Sequence, residues 1–141
     1  MTLKIVYPGK PITKKNHQRI LRNRRTGQSF ISQSNAYLAY EQQCLKYTPR
    51  QARRKIDTPC RVTCVYYMPD KRRVDMTNLL AATHDILVKA GVLADDNSRI
   101  IRSVDGSRVE LDRARPRVEV EVALLEYANA KLNEKESEND R

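Results

Sequence analysis

The sequence predicts a single α+β domain, a mixed sheet of four or five strands with two main helices. Three observations lead there. Short alternating or β-branched segments recur along the chain, two longer stretches carry apolar residues at helical spacing, and 141 residues leave room for one sizeable core. Leu3-Lys4-Ile5-Val6-Tyr7 alternates and breaks at Pro8-Gly9, the mark of a first strand. Residues 9–28 follow as a basic loop with turn residues at Gly9, Pro11, Asn16, Asn23 and Gly27. Phe30-Ile31 reads as a short second strand. Ser34 is placed to cap a helix over residues 35–54, whose Ala36, Leu38, Ala39, Cys44 and Leu45 sit among polar residues, and Pro49 bends or ends it.

The second half is more sharply patterned. Arg61–Tyr67 is β-branched and aromatic, a central strand that stops at Met68-Pro69-Asp70. After the basic loop Lys71-Arg72-Arg73, apolar residues recur at Leu79, Ala82, Ile86 and Ala90, which predicts a second helix with Lys89 in its last turn and Gly91 as its stop. Asp95-Asp96-Asn97 is a turn. Ile100–Asp105 and Arg108–Asp112 flank Gly106-Ser107, a hairpin signal, with Arg113–Pro116 as an alternative connection into the last strand. Val118–Val122 alternates, one face apolar and one acidic. The domain is expected over residues 1–127, with 128–141 a charged, disordered tail.

Composition narrows the function. One Phe and seven Tyr supply all the aromatic bulk, so a core of mostly Val, Ile, Leu and Ala is expected. No apolar run approaches the roughly 20 residues of a membrane helix, and no signal-peptide pattern opens the chain. The expectation is a soluble, cytoplasmic protein with no membrane partner. Cys44, Cys60 and Cys64 form no C-x-x-C pair and are expected as small buried residues. The net charge of +10 is unevenly spread: residues 1–56 hold 13 Lys and Arg against one acid, Glu41. A segment so one-signed points to a polyanion, and nucleic acid is the expected partner. Lys10, Lys14, Lys15, Arg19, Arg22, Arg24 and Arg25, with Lys71, Arg72 and Arg73, are the candidate DNA contacts.

Against that background Asp75, Asp85 and the pair Asp95-Asp96 stand out, because carboxylates repel phosphate. A divalent ion would reconcile them: magnesium takes oxygen ligands, commonly one or two carboxylates with substrate phosphate and water. Asp75 is equally placed to cap the second helix, and Asp95-Asp96 to form an ordinary turn. The residues alone leave both open.

The wording of one segment goes further. Met68-Pro69-Asp70-Lys71-Arg72-Arg73-Val74-Asp75-Met76-Thr77-Asn78-Leu79, then Asp85, Lys89-Ala90-Gly91 and Leu93-Ala94-Asp95-Asp96, resembles the RusA family of Holliday-junction resolvases. The likeness is close over about residues 59–105 and weaker over Gly9–Asn16. It implies a homodimer that binds branched, four-way DNA and cuts paired strands with Mg²⁺, or Mn²⁺ in its place. Asp75 and Asp96 match the first and last catalytic acids, Asp85 and Asp95 match further acids that would join them at the metal, and Asn78 matches the motif asparagine in a supporting place. The family commonly sits on phages and prophages.

Two positions depart from the pattern. The second motif aspartate is Thr77, a neutral hydroxyl, and the helix lysine is Ala81. The first change should weaken magnesium binding and the second removes a cation from the transition state. Thr77, Ala81 and His84 share a helix face, so His84 is either a substitute for that cation or a surface histidine. Two functions follow: an active metal-dependent junction endonuclease in recombination and repair, or a catalytically impaired branched-DNA-binding protein of the same fold. A sequence-specific DNA-binding domain is disfavoured, since neither a helix-turn-helix pair nor zinc-finger spacing is present.

Overall fold

The structure, a computed structural model, describes residues 1–14, 18–33 and 35–125, and for 18–21 and 30–33 the backbone alone. In chain order the elements are β1 (Thr2–Pro8), β2 (Gln18–Arg22), β3 (Ser29–Gln33), α1 (Asn35–Tyr47), β4 (Cys60–Met68), α2 (Met76–Lys89), β5 (Ile101–Ser103), β6 (Arg108–Leu111) and β7 (Arg117–Leu124). They form a single α+β domain around a mixed five-stranded sheet.

Alternation becomes one-sided burial. Cys60, Val62, Cys64, Tyr66 and Met68 of β4 are buried, as are Val118, Val120 and Val122 of β7 and Ile5 and Tyr7 of β1, while the residues between them are exposed or half-buried. One face of the sheet therefore carries the core, shared with Tyr37, Tyr40 and Cys44 of α1 and Leu79, Ile86 and Leu87 of α2. Tyr7, Tyr37 and Tyr66 are its largest fully buried side chains, so tyrosine contributes more to the core than composition suggests. Two of them find hydroxyl partners inside it, Tyr7 with Thr48 and Tyr66 with Thr83, each at 2.7 Å. All three cysteines are buried free thiols; burial pushes Cys44 and Cys60 up to about 11 and Cys64 to about 12.

β7 lies between β1 and β4, antiparallel to both. On the other edge of β4, both β5 and β6 run parallel to it. The hairpin expected across Gly106-Ser107 is therefore not formed. β5 pairs at Cys60–Arg61 and β6 at Val65–Met68, two pieces of one edge strand separated by a turn. The turn plugs into the ladder: Ser107 Oγ accepts the Cys64 amide at 3.0 Å, and Thr63 donates its hydroxyl to the Asp105 carbonyl at 2.7 Å. Gly106, at φ +86°, allows this turn. Arg113–Pro116 is the connection into the last strand, through Asp112, which accepts the amides of Ala114 and Arg115.

Two other expectations change. The basic loop over residues 9–28 contains β2, which pairs with β3 from Gln18↔Gln33 to Arg22↔Ser29, apart from the main sheet. Its turn is built by Asn23, whose amide donates to Gln28 O and whose carbonyl accepts from Gly27 N, both at 2.8 Å. Gln-Arg-Ile-Leu-Arg carries no alternation to reveal the strand. The first helix stops at Tyr47 rather than running to residue 54, because Pro49 offers no amide and keeps the residue before it out of helical space. The Arg53 guanidinium closes the frayed end by donating to Leu45 O at 2.7 Å. Ser34 and residues 126–141, which include the expected tail over 128–141, lie outside the described residues.

Candidate active site and nucleic-acid interface

β4 ends at Met68, and the loop 69–75 delivers three exposed cations, Lys71, Arg72 and Arg73, straight into α2. Asp75 is the N-cap of that helix. Its Oδ1 accepts the amides of Thr77 at 2.9 Å and Asn78 at 3.2 Å, and the Thr77 hydroxyl at 2.6 Å. The carboxylate is thus held by otherwise unpaired backbone donors at the positive end of the helix. The capping expectation holds: Asp75 caps, and is exposed while doing so. Asn78 follows half-buried, and Thr77 and Ala81 lie exposed along the helix.

Asp85 sits elsewhere in the charge pattern. Its Oδ2 accepts Lys14 Nζ at 2.6 Å and lies 3.2 Å from Lys89 Nζ, which in turn bonds both carboxylate oxygens of Glu41 at 3.2 and 3.0 Å. Burial alone would raise the Asp85 pKa, but the two ammonium groups outweigh it and hold the carboxyl below its ordinary range. Lys89 is driven the other way: burial lowers it, and Glu41 with Asp85 raise it further. This chain of four charges ties the segment after β1 to α2 and α1. Glu41, its buried member, was not singled out by the sequence analysis, although it is the lone acid among residues 1–56 and so the one residue there able to hold a lysine.

Beyond α2, Gly91 at φ +78° ends the helix as expected, with Val92 N returning to Leu87 O at 2.9 Å. Asp95 shapes the next turn: its Oδ1 accepts the Asp96 amide at 2.7 Å and its Oδ2 accepts Asn97 Nδ2 at 3.2 Å. The Asp96 carboxylate is exposed and has no hydrogen-bond partner among the described residues. His84 is half-buried rather than a surface histidine, its Nε2 enclosed without a hydrogen-bond partner among the described residues. Burial lowers its pKa, and the Asp96 charge opposes that shift.

Of the candidate DNA contacts, Lys10, Arg22, Arg24, Arg25, Lys71, Arg72 and Arg73 are exposed, and Lys14 is half-buried in its ion pair. Lys15 and the Arg19 side chain lie outside the described residues. Among the described residues no group of three or more His, Cys, Asp and Glu is arranged to hold a metal ion. A protein cage is therefore not what this donor set offers. Magnesium asks for less, one or two carboxylates completed by substrate phosphate and water; Asp75 and Asp96 are each exposed carboxylates. No helix among the described residues is long and apolar enough to cross a membrane.

The sequence profile of one family, Endodeoxyribonuclease RusA, matches residues 8–123. The chain belongs to the RusA family of endodeoxyribonucleases, and membership implies the resolution of Holliday junctions. No curated protein matches the chain.

Proposed function

We propose that this protein is a magnesium-dependent nuclease that cuts four-way DNA junctions as a homodimer, with Asp75 and Asp96 as its central acids. The observation that carries this reading is the setting of Asp75, an exposed carboxylate fixed by helix amides directly after Lys71-Arg72-Arg73. The basic loop grips backbone phosphate, and the cap holds Asp75 in one orientation beside it. Asp95 orients Asp96 through the Asp96 amide. Asp85, occupied by Lys14 and Lys89, serves in this reading to fasten the basic N-terminal segment to α2 rather than as a ligand. A divalent ion, Mg²⁺ or Mn²⁺, held by Asp75 and Asp96 with Asn78 alongside, would stabilise charge building on the phosphate and activate the attacking water. A four-way junction has approximate two-fold symmetry, so a two-fold dimer sets one such site on each of two paired strands.

A second reading is favoured by one observation. Thr77 uses its hydroxyl on Asp75, and Ala81 leaves the same face without a cation, which suits a junction-binding protein with weakened catalysis. Incubating a synthetic four-way junction with the protein separates the two. The set includes Mg²⁺, Mn²⁺ and EDTA, a linear duplex control and a gel shift on the same DNA. Symmetric, metal-dependent nicks in the junction alone establish the nuclease; tight binding without nicks in any metal establishes the binding protein.

A further inference from the structure

Two basic segments far apart in sequence meet in a groove of about 180 Å³, one wall formed by Lys10–Thr13 and the other by Asp70, Arg72, Arg73 and Val74. We propose that this groove is a binding site for a single backbone phosphate of the DNA, gripped by Lys10 from one side and by Arg73 from the other, with the charge of Arg72 offset by Asp70. The proposal rests on the nuclease reading above and extends it to a defined phosphate subsite beside Asp75.

Charge is the first support. Three cations line the groove against one acid, and that acid is turned inward on its own loop: Asp70 Oδ1 accepts the Arg72 amide at 3.0 Å, with Oδ2 4.0 Å from Arg72 Nε. Lys14, Arg61, Lys89, Arg108 and Arg117 all pair with carboxylates, whereas Lys10 and Arg73 have no such partner among the described residues. Two unpaired cations facing one concavity repel each other until an anion lies between them. Shape is the second support. Pro11, Ile12, Met68 and Val74 give the groove apolar walls, which concentrate the field of its cations. Thr13, also in the wall, is buried with its Oγ1 lacking a hydrogen-bond partner among the described residues. Position is the third support, because Val74 lines the groove and the next residue is Asp75.

The test uses Lys10→Gln, Arg73→Gln and the double variant in the full chain, each first checked for an unchanged melting temperature in chloride buffer. Junction affinity is measured against salt. One shared phosphate predicts that the double variant loses about one unit of the log–log slope in total, since each neutralised phosphate contributes roughly 0.9. A loss of about two means separate phosphates, and no loss means no contact; either overturns the proposal. In a second arm, inorganic phosphate replaces chloride at fixed ionic strength while backbone amide shifts are followed. Saturable shifts at Thr13 and residues 72–74 that vanish in the double variant are expected. Shifts that do not saturate, or that persist in the double variant, would show general ion effects and overturn it. A shallow slope in the unaltered protein would instead remove the DNA-binding reading itself.

Discussion

Asp75 carries two duties that a single substitution can separate. Asparagine caps a helix about as well as aspartate, so Asp75→Asn should cost no more than the helix-dipole interaction, about 0.3–1 kcal/mol. It should nevertheless abolish junction cutting, because the amide brings no charge to a metal, while a gel shift shows junction binding intact. Cutting that survives would remove Asp75 from the metal site. Thr77→Asp is the complementary change. It adds a carboxylate in the first turn of α2, where the dipole favours one, and should raise cleavage and lower the Mg²⁺ concentration needed for it. An unchanged metal requirement would mean that position 77 does not face the ion. The sequence revealed these residues because their order along the chain is distinctive. It did not reveal that Asp85 is engaged by two lysines, since Lys14 reaches it across 71 positions that only the fold brings together.

At the scale of elements, the chain Lys14–Asp85–Lys89–Glu41 fastens a basic segment to both helices. The Asp85 carboxyl is held below its ordinary range, so the pairing stabilises the fold above about pH 4, the value for a free aspartate. That contribution is lost as pH falls through the depressed value. Lys89, raised above about 10.5, contributes below that pH and loses its contribution as pH rises through the elevated value. Asp85→Asn should therefore flatten the acid limb of a stability-against-pH profile from urea melts and leave the neutral plateau about 0.2–1 kcal/mol lower, as for partly exposed pairs. An unaltered acid limb would show that other carboxylates set it. Strand and helix identity was legible where one period dominated, as in β4, β7 and α2. β2 was hidden because it pairs with β3 alone, apart from the main sheet, and its five residues carry no alternation. The partners of β5 and β6 were hidden because Gly106-Ser107 is equally good chemistry for a hairpin and for a break in an edge strand.

For the whole molecule, the charge of residues 1–56 predicts a collective property. Lys14 is paired in that segment, while Lys10, Arg22, Arg24 and Arg25 remain exposed and unmatched by acids among the described residues. Junction affinity should fall steeply with salt, roughly 0.9 log units per log unit for every phosphate neutralised, and a nearly flat dependence would show that this charge does not meet DNA. Sheet order has a different consequence. β1 and β4 do not pair with each other; both pair with β7, from Thr2↔Ala123 on one side to Tyr67↔Arg117 on the other. During synthesis the two earlier strands therefore leave the ribosome without their antiparallel partner, and the apolar faces of Ile5, Tyr7, Val62 and Tyr66 wait for Val118, Val120 and Val122. The nascent chain cannot close this sheet until β7 is made, and those apolar faces stay without their partner until then.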